Sequence, residues 1–200
     1  MRIAIVDYGM GNLRSVYRAF EYAGARPVIT SSVEEIEASD ALILPGVGAF
    51  EDAMANLLPL REVIVDSAGK KPILGICLGL QLFFSESEES RLGESGLDII
   101  KGKVVRLPKN VKIPHMGWNS IEIKKESRIL EGIKDGEYFY FVHSYYAVPQ
   151  EDVVVATTGY SVDVPAILEK DSVFATQFHP EKSGRAGLKI IKNFVEIARE

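Results

Sequence analysis

In the first part of the chain, short runs of consecutive apolar residues alternate with stretches where apolar side chains recur every three or four positions. Residues 3–6, 28–30, 41–44 and 73–77 are runs of the first kind. Unbroken apolar runs of that length predict strands buried on both faces. Between the first two, Leu13, Val16, Tyr17, Phe20 and Ala23 fall at helical steps ahead of Gly24. That spacing gathers them on one face of a helix ended by the glycine. Residues 49–69 suffice for one or two helices, with Pro59 marking the break. Strands and helices in alternation predict a parallel sheet covered on both sides.

The texture changes near residue 85, where Glu86, Glu88, Glu89 and Glu94 stand among serines and glycines. A surface loop is predicted over 85–96. From 97 to 178 the chain is rich in Val, Ile, Tyr and Phe with frequent Gly and Pro. This predicts short, partly antiparallel strands beside the parallel sheet. Leu188, Ile191, Val195 and Ala198 predict a closing amphipathic helix. No repeat or compositional break divides the chain, so one α/β domain over residues 1–200 is expected.

Charge and residue usage narrow the function. Lys plus Arg total 23 against 28 for Asp plus Glu, a net charge of -5, which has the wrong sign for a partner made of phosphates. Nucleic acid is therefore not expected. The one basic cluster, Lys101, Lys103, Arg106, Lys109 and Lys112, alternates with Val104, Val105 and Leu107 and reads as a solvated strand face. No run approaches the roughly 20 apolar residues that span a bilayer, and the N-terminus enters a strand pattern instead of a leader. A cytoplasmic protein without a membrane partner is expected. One cysteine and three scattered histidines give neither a disulfide nor a clustered metal site, so no metal and no cofactor are expected.

That cysteine sits in Gly75-Ile76-Cys77-Leu78-Gly79, after an apolar run and before a helical pattern. The form is that of a nucleophile elbow, in which small flanking residues let a strand turn sharply into a helix and present the thiol at its start. The amide of Leu78 would face an oxyanion. A base is needed, and His179-Pro180-Glu181 supplies an imidazole with a carboxylate two residues on. Proline biases His179 to extended geometry, from which Glu181 can orient one ring nitrogen while the other faces the thiol. Pro45-Gly46-Val47-Gly48 follows another apolar run, and its glycines permit a backbone that aims an amide at the same oxyanion.

These three segments, in this order, resemble the class I glutamine amidotransferases of the thiol-triad form. Asp7-Tyr8-Gly9-Met10-Gly11-Asn12-Leu13-Arg14-Ser15 and Pro114-His115-Met116-Gly117-Trp118-Asn119 narrow the resemblance to the glutaminase subunits of imidazole glycerol phosphate synthases. The resemblance implies a flavodoxin-like three-layer fold with a central, mostly parallel sheet and additional short antiparallel strands. It implies Cys77 as nucleophile, His179 as proton shuttle and Glu181 as its orienter. Leu78 with Val47 or Gly48 would form the oxyanion hole, and Gly46, Gln81, Ser144 and Tyr145 would hold L-glutamine, with His143 beside them. It also implies a heterodimer with a (β/α)₈ cyclase subunit that receives the ammonia. Asn12, Trp118, Tyr140 and Lys182 would meet that partner, although from the residues alone Trp118 and Tyr140 read as core.

Three alternatives share parts of this pattern. Another ammonia-supplying glutaminase, such as that of pyridoxal phosphate synthase, would share the triad but not the segment 114–119. A non-catalytic partner-binding subunit would have no need of nucleophile, base and orienter together. A cysteine hydrolase of peptides or aldehydes would lack the His-x-Glu arrangement. His115 and His143 receive no catalytic proton in this reading.

Overall fold

The computed structural model describes residues 1–90, 93 and 95–200. The chain runs β1 (Arg2–Val6), α1 (Leu13–Tyr22), β2 (Arg26–Thr30), α2 (Val33–Glu37), β3 (Ala41–Gly46), α3 (Phe50–Leu57), α4 (Arg61–Ser67), β4 (Ile73–Cys77) and α5 (Leu78–Leu82). It continues through β5 (Phe84–Ser87), β6 (Ile100–Arg106), β7 (His115–Ser120), β8 (Glu122–Ile123), β9 (Tyr138–His143), β10 (Tyr145–Pro149), β11 (Val154–Gly159), β12 (Asp163–Lys170) and β13 (Val173–Thr176) to α6 (Gly184–Ile197).

The main sheet has the order β2-β1-β3-β4-β13-β12-β11-β8. It is parallel from β2 through β13 and antiparallel beyond. With β13 in fifth place, the parallel part has the flavodoxin-like order. On the inner strands β1, β3 and β4, alternate side chains enter opposite cores. Ile3 and Ile5 pack with Val16 and Phe20 of α1 and with Ile191 and Phe194 of α6, while Ala4 and Val6 pack with Ile36, Phe50, Met54 and Ile64 from α2, α3 and α4. The apolar runs of β1, β3 and β4 are thus explained by burial on two sides, whereas the run 28–30 lies on the edge strand β2 and leaves Ile29 39% exposed. Smaller sheets, β10-β6-β5 and β7-β9, lie beside the main one. No helix among the described residues is long and apolar enough to cross a membrane.

Two elements differ from the sequence reading. The predicted loop 85–96 begins instead as β5, paired parallel with β6. Its polar residues hid a strand whose anchors are the buried Phe84 and backbone bonds. Arg91, Leu92 and Glu94, within the later part of that prediction, lie outside the described residues. Helix α2 spans only five residues, too few for periodicity to register. Its start is nonetheless marked by the Ser32 hydroxyl, which accepts from the Glu35 amide at 3.2 Å. The basic cluster is a solvated face: Lys101, Lys103 and Arg106 are exposed on β6, with Gly102 and Val104 buried between them.

The placement of the catalytic candidates follows from register. In the β3–β4 pair Gly46 is opposite Cys77, and in the β13–β4 pair Thr176 is opposite Ile76. Three chain segments therefore leave the same sheet edge side by side, at the carboxyl ends where ligands bind in such sheets.

The turn from β4 into α5 is tight because α5 lies directly on β3. A Cβ on Gly79 would stand 1.8 Å from the Leu44 carbonyl oxygen, a backbone atom that cannot swing aside. Gly79→Ala is expected to cost about 3 kcal/mol, the upper range for an inserted methyl, and to lower Tm by roughly 6–12 °C. Thermal unfolding checks this, and an unchanged Tm would contradict the close packing.

Candidate active site

Cys77 is the last residue of β4 and the residue from which α5 begins, with φ 55 and ψ -107. Positive φ is disfavoured for a residue with a Cβ, at roughly 1–3 kcal/mol, and the packing around Gly79 imposes it. The result is a sharp elbow that leaves the thiol on the wall of a cavity of about 350 Å³. With only five residues, α5 has a small macrodipole. What it offers an anion is the amide at its start, that of Leu78, which has no acceptor within the helix.

His179 leaves the end of β13 in extended conformation, with φ -95 and ψ 97. The chain then enters a 3-10 turn over Pro180–Lys182. Glu181 is therefore brought under the ring by a turn and not by a continued extended segment. His179 Nδ1 donates to Glu181 Oε1 at 2.9 Å, and the side chains are 2% and 1% exposed. Nε2 is buried with no protein hydrogen-bond partner, although His179 lines the cavity. That nitrogen is the one free to exchange a proton with sulfur or substrate. The backbone of His179 is held from β9: its amide donates to the Tyr140 carbonyl at 3.0 Å. Ser183 Oγ donates to the His179 carbonyl at 2.6 Å and accepts from the Tyr140 amide at 2.9 Å.

The electrostatics separate the three histidines. Burial disfavours the imidazolium of His179, but the Cys77 sulfur and the Glu181 carboxylate outweigh it and push the group up to about 10. His143, by contrast, is pushed down to about 4, mainly by burial and further by His115 and His179, against the hydrogen bond to Tyr145. Burial also lowers His115. One imidazole is thus built to be charged and two to be neutral.

The cavity brings together Val47, Gly48, Cys77, Leu78, Gln81, Ser144, Tyr145 and His179, all singled out by sequence. Gly48 has φ +107, a conformation that favours glycine. Gly46 is not in the lining. It lies beneath, where a Cβ would meet the Tyr8 hydroxyl at 2.6 Å and Leu78 at 2.8 Å, so its smallness serves packing. Tyr8 in turn donates to the Pro45 carbonyl at 2.6 Å.

The cavity also contains Glu89, Pro114, Val142 and His143. Glu89, predicted as part of a solvating loop, instead accepts from the Phe50 amide at 2.9 Å. Burial raises its carboxyl above the usual range, with the Phe50 bond opposing. Its cluster of neighbouring glutamates gave no sign of this.

Trp118 is 56% exposed, against the reading of it as core. It sits opposite Tyr140 in the β7–β9 pair, the rings edge to face at 6.2 Å. Phe139 and Phe141 take the inward positions of β9, while Met116 and Tyr138 join the exposed side. Asn12 and Lys182 are exposed as well. Among the described residues no cluster of His, Cys, Asp and Glu could hold a metal.

A strained cysteine elbow, a buried His–Glu pair and a flavodoxin-like sheet define a triad amidohydrolase, and residues 4–198 match the family model for glutamine amidotransferase class-I. The chain belongs to that family. It is 58% identical over 198 residues to the imidazole glycerol phosphate synthase subunit HisH of Methanothermobacter thermautotrophicus, covering 98% of this chain and 99% of the relative. It is 54% identical over 196 residues to that of Methanocaldococcus jannaschii, with 98% and 99% covered. Within the class, it belongs to the HisH subunits. Solved structures share the fold: a glutamine amidotransferase (TM-score 0.75, 20% identity, 98% and 99% covered) and PurLQS from Thermotoga maritima (TM-score 0.75, 21% identity, 98% and 97% covered).

The charge assignment is directly measurable. NMR of labelled histidines is expected to find His179 still protonated above the ordinary imidazole value of about 6.5, losing its proton near about 10. Because the folded value is raised, the stability it contributes is complete below the ordinary value and is lost as pH rises through the folded one. Glu181→Gln should bring the titration down. A wild-type His179 that titrates at the ordinary value would contradict the assignment.

Proposed function

We propose that this chain is the glutaminase subunit of an imidazole glycerol phosphate synthase, hydrolysing L-glutamine to glutamate and ammonia for a separate (β/α)₈ cyclase subunit. The net reaction of the heterodimer gives imidazole glycerol phosphate and an aminoimidazole carboxamide ribotide in histidine biosynthesis. The observation that carries the chemistry is Cys77 in its strained elbow beside a His179–Glu181 pair bonded at 2.9 Å and closed to solvent.

In this reading residues 1–200 form one amidotransferase domain in the cytoplasm. The Cys77 sulfur attacks the side-chain amide carbon of glutamine. The C–O π pair moves to oxygen, and the oxyanion is met by the Leu78 amide and by one from Val47 or Gly48. His179 Nε2 gives its proton to the amide nitrogen as the C–N bond breaks, releasing ammonia and leaving a thioester. Water then attacks the thioester, His179 takes its proton, and glutamate departs as the thiolate re-forms. Glu181 keeps the ring in the tautomer and orientation both steps require. Gln81, Ser144 and Tyr145 hold the substrate, and the Glu89 carboxylate is a charge partner for its ammonium group.

Ammonia released into neutral water would be protonated and no longer nucleophilic, so an enclosed transfer to the cyclase fits the chemistry. The aromatic face of Trp118 and Tyr140, with Asn12 and Lys182, suits that docking. Tyr140 is bonded to the backbone of His179, which sets the docking strand against the base. The loop at Gly46 and Gly48 can hold an oxyanion amide out of place until the partner is loaded, sparing glutamine.

A glutaminase assay with and without the cyclase subunit and its ribonucleotide ligand tests this. The loaded partner is expected to raise glutamate release, and Cys77→Ala to abolish it. Glu181→Gln should lower kcat by about 10²-fold or more through loss of the oriented tautomer. Glutamate release persisting in Cys77→Ala would refute the nucleophile, and a rate indifferent to the cyclase would refute the partner.

A further inference from the structure

The mechanism so far leaves one buried polar side chain at the nucleophile without a role. Gln177, between the end of β13 and His179, is 0% exposed. Its backbone amide is bonded to the Ala166 carbonyl at 2.9 Å, and its side chain reaches across to both Cys77 and Gln81. Gln81 Nε2 stands 3.2 Å from Gln177 Oε1, and Gln177 Nε2 stands 3.8 Å from Cys77 Sγ.

The hydrogen-bond polarity fixes which end of this amide meets the sulfur. The Tyr145 carbonyl can only accept, and it accepts from Gln81 Nε2 at 3.0 Å and from His143 Nδ1 at 2.9 Å. Gln81 therefore presents its NH₂ group on this side, and the atom of Gln177 that meets it is the oxygen. Gln177 consequently turns its NH₂ group to Cys77.

The other branch has the same single direction. With Nδ1 donating, a neutral His143 accepts at Nε2 from His115 Nδ1 at 2.9 Å, and His115 Nε2 accepts from Asn119 Nδ2 at 3.3 Å. Rings of Tyr160 and Phe141 stack against His115, with centroids 3.9 and 5.0 Å away. The carbonyl that orients Gln81 is thus itself held from β7.

The sulfur has two kinds of partner. As a thiol it donates to the Val142 carbonyl at 3.6 Å, but as a thiolate it can only accept, and that carbonyl then repels it. Hydrogen bonds to a charged group are stronger than those between neutral groups, so the amide of Gln177 gains as the proton leaves. We propose that Gln177 is a further catalytic residue, whose oriented side-chain amide donates to the Cys77 sulfur and stabilises the thiolate that attacks glutamine. The reaction it serves rests on the glutaminase reading above, whereas its effect on the thiolate does not.

The titratable groups around this sulfur come from several elements. His179 and Glu181 follow β13, Tyr8 follows β1, His143 ends β9, and Glu89 stands at the cavity. Only variants at Gln177 isolate its share from theirs. Cys77 is the only cysteine in the sequence, so alkylation reads it without ambiguity.

The experiment is the pH profile of iodoacetamide alkylation of the full chain, as wild type, Gln177→Met and Gln177→Glu, without glutamine. Methionine removes the donor at similar volume. Glutamate keeps an oxygen for Gln81 and turns an acceptor to the sulfur. The half-maximal pH is expected to rise by about one unit in Gln177→Met, the size of one lost hydrogen bond to an anion, and further in Gln177→Glu. Superimposable profiles would overturn the proposal.

A wild-type measurement stands if a variant does not fold. The side-chain amide proton of Gln177 should shift in NMR over the pH range in which Cys77 becomes reactive, and an amide blind to that change would equally overturn the proposal. A shifted profile in a protein that releases no glutamate would refute the glutaminase reading and leave this inference standing. Normal glutaminase activity with unshifted profiles would do the reverse.

Discussion

The site depends on β4 being clasped between β3 and β13, parallel to both. Parallel pairing gives three carboxyl ends at one edge, and the register puts Gly46 opposite Cys77. The glycine-containing segment 45–48, the cysteine and the His–Glu segment are far apart in sequence and become neighbours only through these ladders. The burial of β4 on both faces supplies the rigidity. Its exit is then bent by α5 lying on the Leu44 carbonyl with only a hydrogen atom of Gly79 between them. Strain at Cys77 is maintained by that packing, as backbone outliers at working sites must be.

Around this frame the polar groups divide by charge. His179 is placed between sulfur and carboxylate, which hold its proton against burial. His143 and His115 are buried beside neutral acceptors and donors, which keep them uncharged. The same residue type is therefore charged in one place and a neutral, directional hydrogen-bond link in the other. The difference lies in the neighbours: Glu181 accompanies the first, and the Tyr145 carbonyl terminates the second. Class-I amidotransferase membership and the HisH relationship give these groups a substrate, and Trp118 and Tyr140 form the aromatic face proposed above for the partner.

Much of this was legible in the sequence, for physical reasons. The inner strands β1, β3 and β4 announce themselves because burial on two faces requires unbroken apolar runs. The elbow is readable because tight backbone approach requires Gly75 and Gly79. What could not be read depends on backbone atoms or on distant partners. Ser85, Glu86 and Ser87 look like loop but pair through their main chain. Gly46 carries the same signature as a substrate-contacting glycine, yet its space is filled by Tyr8 and Leu78. Glu89 looked solvated among its acidic neighbours, and only the fold brings it to the Phe50 amide. The role argued for Gln177 rests on the direction of a carbonyl, which no pattern of side chains encodes, although its position two residues before His179 was a usable hint.

The proposed chemistry turns on a covalent bond between the Cys77 sulfur and the substrate carbon. Rapid acid quench of the enzyme turning over glutamine, followed by mass spectrometry of the digested protein, tests it most directly. One glutamyl group is expected in thioester linkage on the peptide carrying Cys77, absent in Cys77→Ala. Turnover of glutamine with no adduct on that peptide, under conditions that preserve thioesters and with hydrolysis of the adduct made limiting, would contradict it.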